Sequence, residues 1–121
     1  MNYGRKISGG RNVKRQKKKK YERAGQKRIV ELEEKEKRKT KTTRGGKRKV
    51  FLLKAKFVNV INKKGKVKKA TIKNVLETPS NKFLARQNVI TKGTIVQIDI
   101  GKVKITNRPS QEGTLNGVLI E

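Results

Sequence analysis

Arg44-Gly45-Gly46-Lys47-Arg48-Lys49-Val50-Phe51-Leu52-Leu53-Lys54-Ala55-Lys56-Phe57 is where the chain changes character. Its first six residues set four cations around a Gly-Gly pair. From Val50 onward apolar and polar residues alternate, the period of a half-buried strand. Two glycines let the backbone turn and come close to a partner, because no Cβ stands in the way. Flanking cations suit phosphate, with Arg forking onto oxygens and Lys acting as a point charge. Charged Gly-Gly pairs are also common in solvated, flexible hinges. Both readings of this joint are open on local grounds.

On either side of the joint the composition differs. Residues 1–49 hold 21 Lys/Arg against 5 Asp/Glu, with only 9 apolar side chains. Residues 50–121 hold 14 Lys/Arg against 4 Asp/Glu, with 29 apolar side chains, 17 of them Val or Ile. β-Branched residues of this kind suit strands. The second part can therefore build a core, although a domain near 70 residues buries only about 60% of its unfolded surface. The first part cannot offset its ordering entropy by burial and is expected to be disordered unless bound. The expected domains are a basic RNA-binding extension over 1–49 and a small β-domain over 50–121.

A formal charge of +26 on 121 residues calls for an anionic partner. Nucleic acid fits best. No apolar run approaches the roughly 20 residues of a spanning helix, and the N-terminus lacks the apolar core of a secretory signal. With no Cys and no His, disulfides, thiolate metal sites and the commonest general base are excluded. The nine carboxylates are scattered. We read a binding protein with no catalytic residues, no metal site and no cofactor.

Within the first part, Arg5-Lys6 and Gly9-Gly10-Arg11 again place a Gly pair among cations. Lys14, Arg15, Lys17, Lys18, Lys19 and Lys20 then put six charges into seven positions, followed by Tyr21 and Arg23. Such a run threads along phosphates, and an adjacent aromatic stacks on an unpaired base or anchors the tail onto its own domain. A solvated tail or an import-like signal is the blander reading of the lysines. Gln26 to Lys39 carries a modest helical signal from the i,i+4 pairs Glu31/Lys35, Glu33/Lys37 and Glu34/Arg38, each worth a few tenths of a kcal/mol. Their alternation with Lys makes the glutamates a solvated face rather than a metal site. Thr40 to Thr43 reads as extended.

The second part reads as six short strands. Phe51 to Phe57 alternates, and Val58 and Val60 change phase as at a bulge. Asn62 to Lys66 makes a hairpin loop. Ala70, Ile72 and Leu76 share one face of the next run, and Thr78-Pro79-Ser80-Asn81 is a turn. Phe83 to Ile90 follows, then a turn at Thr91-Lys92-Gly93. Val96, Ile98 and Ile100 precede a Gly101-Lys102 turn, and Val103 and Ile105 return. Leu115 to Ile120 ends the chain, with Asn116-Gly117 as a bulge in the last strand. Closure into a barrel removes the open edges and the open apolar face of a flat sheet. The expected fold is all-β, a small six-stranded antiparallel β-barrel with a long, basic, largely irregular N-terminal extension. Lys54, Lys56, Lys69, Lys73, Lys102 and Lys104 would face outward.

The order of these motifs resembles one family. A Gly-Gly-Arg near the start, a basic run ending Lys20-Tyr21-Glu22, the Arg44-Gly45-Gly46 joint, Asn88 to Val96 with its Thr-Lys-Gly, and Arg108-Pro109-Ser110-Gln111-Glu112-Gly113 through Leu119 follow its pattern. It is the small-subunit ribosomal protein eight of the archaeal and eukaryotic type, in its short archaeal form. The resemblance implies a cytoplasmic, ribosome-bound constituent whose partners are small-subunit ribosomal RNA and neighbouring ribosomal proteins, with no membrane and no homo-oligomer. By position it implies RNA contact for residues 8–11, for Lys14 to Tyr21 and for Arg44, Gly45, Gly46, Lys47, Arg48 and Lys49. A ribosome-biogenesis factor with the same barrel and a basic DNA-compacting protein are the alternatives.

Overall fold

The computed structural model describes residues 4–12, 17–25, 27–62 and 65–120. It is an all-β protein built from a closed barrel and a three-stranded sheet that shares its chain path. In the small sheet, β1 (Glu31–Leu32) runs parallel to β3 (Arg48–Ala55), and β2 (Lys37–Thr42) pairs with β3 antiparallel. The barrel is β4 (Phe57–Ile61), β5 (Val67–Glu77), β6 (Ile95–Ile98), β7 (Gly101–Ile105) and β8 (Asn116–Leu119), each beside the next.

The barrel has five strands rather than the expected six, and its closing pair is parallel. The reason is parity. A five-strand antiparallel meander returns its last strand in the direction of its first, so β8 meets β4 parallel, Asn59 opposite Asn116 and Ile61 opposite Val118. Of the six expected strands one is divided and one is lost. Phe51 to Ala55 lies in the small sheet, and the phase change before Val58 is the passage at Lys56 from β3 into β4, not a bulge. The expected strand after the Pro turn opens instead with helix α1 (Lys82–Arg86). Asn81 caps it by accepting from the Phe83 amide at 2.9 Å, which satisfies a donor that a helix start leaves free. Asn88, at φ 54°, then reverses the chain into Val89 and Ile90.

The core is made of alternate β-residues: Val58 and Val60, Ala70 and Ile72, Val96 and Ile98, Val103 and Ile105 are all buried. Along β5 the inward set shifts phase after Ile72, so Val75 is buried and Leu76 is exposed. The ladder to β6 is irregular at that place, as a bulge requires. Beneath the Thr91-Lys92-Gly93 turn, the fully buried Thr94 accepts from the Thr91 amide at 3.0 Å and its hydroxyl lies 3.5 Å from that of the equally buried Thr78. Hydrogen bonding makes those two polar burials tolerable. Between β6 and β7 the turn is Asp99-Ile100, with Ile98 opposite Gly101. Gly101 is therefore the first residue of the returning strand rather than part of the turn.

Residues before the joint contribute to this core. Val30 is buried, and its carbonyl accepts from the Ile90 amide at 2.8 Å while the Leu32 amide donates to Asn88 at 2.9 Å. A segment from the basic half is thus inserted between β3 and Val89-Ile90, and β1 and the first half of β2 are strand where the sequence carries a modest helical signal, whereas residues 40–42 are extended as expected. Exposed i,i+4 pairs worth a few tenths of a kcal/mol each do not outweigh the burial of Val30 and a ladder of six residue pairs. Gln26 lies outside the described residues.

Gly117 sits where β8 is packed most tightly against β7, since a Cβ there would overlap Val103 Cγ1 and lie 3.0 Å from the Lys104 carbonyl oxygen. Gly117→Ala is expected to destabilise the fold by about 1–3 kcal/mol through overpacking. Gly10→Ala, where the only neighbour within reach is Ser8 Oγ at 3.9 Å, should fall within about 0.5 kcal/mol of the parent. Urea midpoints at constant m measure both, and equal midpoints would refute this close approach of β8 to β7.

Candidate nucleic-acid interface

The joint is the tip of a two-stranded ribbon. Thr42 pairs with Arg48, and the loop between them closes through the Thr43 amide and hydroxyl, both donating to the Lys47 carbonyl, the hydroxyl at 2.8 Å. Arg44–Gly46 forms a single 3₁₀ turn inside it, with Gly45 at φ 79° and Gly46 at φ 75°. Two successive left-handed residues are cheap only for glycine. Neither the hinge nor an isolated phosphate turn describes this arrangement. It is a hairpin loop that holds Arg44, Lys47, Arg48 and Lys49 exposed at the end of a strand pair.

Charge continues down the ribbon. Residues opposite one another in an antiparallel pair share a face, so Lys41 faces Lys49, Thr42 faces Arg48 and Lys39 lies across from Phe51. All six residues of β2 are exposed. Like charges directly opposite are destabilising. Lys41 and Lys49 keep this arrangement with no carboxylate between them among the described residues.

Two further groups lie on the N-terminal segment. Arg5 and Arg11 bridge, the Lys6 amide donates to Gly10 and the Gly9 amide to Lys6, each at 2.8 Å, so Gly9 and Gly10 turn a small exposed loop whose cations point to solvent. Lys20–Glu22 forms a 3₁₀ turn in which the Glu22 carboxylate accepts from the Lys19 amide at 3.0 Å and Arg23 Nε donates to the Lys18 carbonyl at 3.1 Å. Lys17, Lys18, Lys19 and Tyr21 are exposed, with Lys19 Nζ 5.8 Å from the Tyr21 ring centre. Lys14 and Arg15 lie outside the described residues. Among the described residues no hydrogen bond or ion pair joins these two turns to each other or to the ribbon.

Among the described residues three ion pairs form, Arg38–Glu36, Lys54–Glu33 and Lys73–Asp99, none with a cation from 5–23 or 44–49. Lys54 and Lys73 are thereby neutralised on the surface, whereas Lys69, Lys102 and Lys104 face solvent. Sequence reasoning missed Lys37, Lys39, Lys41 and Arg28. The first three carry a period-two signal, Lys-Arg-Lys-Thr-Lys-Thr, that matches an exposed strand once the Gly-Gly pair is taken as a hairpin loop. Arg28 has no signal of its own. Its guanidinium lies 3.9 Å from the Phe51 ring centre and donates to the Ser110 carbonyl at 3.3 Å, contacts made only by the fold.

Two sequence motifs prove to be structural clamps. In the segment Arg108 to Gly113, Pro109 is buried, its carbonyl accepts from Leu52 at 3.1 Å, and a Cβ at Gly113 would lie 2.9 Å from Val50 Cγ1. Asn107 ties both ends of that loop, donating to the Thr114 carbonyl at 2.6 Å and accepting from the Asn116 amide at 2.9 Å. The Thr91 to Thr94 motif makes the buried hydroxyl contacts already described.

Residues 1–120 match the family described as ribosomal protein S8e. Relatives named small ribosomal subunit protein eS8 are 47% identical in Staphylothermus marinus and 41% in Sulfurisphaera tokodaii, both across 97% of this chain and 92% of theirs. That of Methanosarcina barkeri is 40% identical across 97% of this chain and 94% of its own.

Replacing one of two facing cations separates stability from binding. Lys41→Glu creates an opposite-charge pair with Lys49 and is expected to stabilise the free protein by about 0.2–1 kcal/mol, while lowering affinity for a polyanion. Urea melts and polyphosphate titrations should move in opposite senses. Movement in the same sense would show that the facing lysines do not serve an anion.

Proposed function

The chain belongs to the ribosomal protein S8e family, and from that premise we propose that it is a structural constituent of the small ribosomal subunit that binds and stabilises ribosomal RNA. The observation that carries this reading is the ribbon with its facing lysines and a four-cation tip, unpaired among the described residues. Residues 1–49 supply the RNA-binding surface in two forms. One is the rigid ribbon rooted in the barrel. The other comprises the exposed turns at Gly4–Asn12 and Lys17–Arg23, which gain their partners on RNA. The barrel, β4 to β8, fixes where those cations land, with neighbouring ribosomal proteins packed around it in the cytoplasmic ribosome.

The mechanism is charge neutralisation at fixed geometry. Lys and Arg outnumber Asp and Glu 35 to 9, and aromatics make up 4% of the chain. Phosphate contact therefore outweighs base reading over most of the surface. Helices of RNA that repel one another can approach when a basic strand pair lies between them. No step of this action needs bond chemistry, and we assign no catalytic residue, cofactor or metal to the chain.

If about 10 cations meet phosphates, log K for small-subunit ribosomal RNA should fall against log salt with a slope of about −7 to −9. Filter binding between low and physiological salt measures it, and a slope near zero would refute electrostatic docking. Amide exchange in Lys17–Arg23 should slow on RNA while that of β4 to β8 stays unchanged. Protection of Lys17–Arg23 equal to the barrel's in the free protein would refute ordering on RNA.

A further inference from the structure

On the face of the ribbon that carries Lys39 and Lys41, Lys27, Arg28 and Ile29 lie alongside the strands and leave a groove of about 660 Å³. We propose that this groove receives a single unpaired nucleotide, its base stacked on the outer face of the Arg28 guanidinium and its phosphate held by Lys39 and Lys41. The proposal rests on the RNA-binding reading above and adds a ligand class and a place to it.

Three observations carry it. The groove has an apolar floor, Ile29, Phe51 and Leu53, where a surface meant only for backbone phosphates needs none. Its rim is cationic, Lys27, Arg28, Lys39 and Lys41, and no carboxylate lines it. Its volume falls in the roughly 300–1,000 Å³ range of small-ligand pockets. Charge complementarity and an apolar floor together favour a nucleotide over an acidic peptide, which would leave the flat Arg28 surface without a planar partner.

Arg28 is the element that makes a platform rather than a hole. Phe51 backs its inner face at 3.9 Å, and the Ser110 carbonyl holds one guanidinium nitrogen at 3.3 Å. A guanidinium plane pinned on both counts loses little freedom when a base lies on it. Bases stack on Arg planes as well as on aromatic rings. The result is a three-layer stack of ring, guanidinium and base. Ile29, 48% exposed, lies beside it as apolar wall.

A duplex cannot use this site, because its bases are already stacked within the helix. The test is amide shift mapping on the full chain with a single-stranded oligouridylate and with an RNA duplex of equal length. The single strand should move Ile29, Phe51 and Leu53, the duplex should not, and both should move Arg44 to Lys49. Arg28→Lys keeps the charge and removes the plane. It should weaken single-strand binding about tenfold, a loss of about 1.4 kcal/mol and within the range for one stacked base. Duplex affinity and the salt slope should stay as they were.

Groove shifts from the duplex, no groove shifts from the single strand, or equal losses on both RNAs with Arg28→Lys would overturn the site and leave salt-dependent RNA binding standing. Absence of salt-dependent binding to either RNA would instead remove the reading on which it rests.

Discussion

A small barrel with an odd number of strands must close on a parallel seam, and everything else in this molecule is mounted on that closure. Parallel pairing is slightly the weaker kind, and here it spans only three residue pairs between β4 and β8. Side chains and close packing reinforce it. Asn59 donates to Asn116 across the seam at 3.2 Å, its amide donates to Leu115 at 2.9 Å, and Gly117 lets β8 come within touching distance of Val103. With the seam shut, the barrel has no free strand edge, and its inward Val and Ile side chains, Val58, Val60, Ile72, Val96, Ile98, Val103 and Ile105, are sealed from water. The core can then be small because it is sealed, and the charge can be large because it is all outside.

That exterior charge is not spread evenly in what it does. Lys54 and Lys73 meet carboxylates and lose their call on an external anion. At the outer end of the ribbon the opposite holds: Lys41 faces Lys49, and neither they nor the cations of the tip meet a carboxylate among the described residues. Exposed ion pairs are worth little individually, so the three pairs do not stabilise the fold to any large extent. Their effect is to mark which faces are already neutral. The N-terminal turns are held by a few local backbone bonds, whereas the ribbon is held by its ladder and by the clamp of Pro109 and Gly113 on β3. One protein thus carries loosely and firmly placed cations within the same fifty residues.

Much of the barrel could be read from residue order because its determinants are local. Val96, Ile98, Val103 and Ile105 alternate as inward strand residues do, and the turns at Asn62 to Lys66, Thr78 to Asn81 and Thr91 to Gly93 use side chains that make turns by themselves. Where the determinants are distant, the reading fell short. β2 has no apolar period, so its Lys-Arg-Lys-Thr-Lys-Thr alternation and the extended reading of its threonines do not say what it pairs with until β3 is laid beside it. Val30 looks like any residue of a basic tail, and only its bond to Ile90 shows that it belongs to the core. The passage of the chain at Lys56 from one sheet to the other reads in sequence as a bulge, because both produce one change of phase. For the interface, the exposed cations were legible as charge, but their facing register and the Arg28 stack on Phe51 depend on contacts between segments far apart in the chain.

The passage at Lys56 has a mechanical meaning. β3 ends at Ala55 and β4 begins at Phe57, and the carbonyl of the one residue between them accepts from Ile72 at 2.8 Å, so no slack separates ribbon from barrel. Eight strand residues at about 3.3 Å each put the hairpin end some 26 Å from that junction. The protein is in effect a caliper with one arm a lysine-lined blade and the other a barrel. Its gauge is set by the length of β3, at about 3.3 Å for each residue gained or lost.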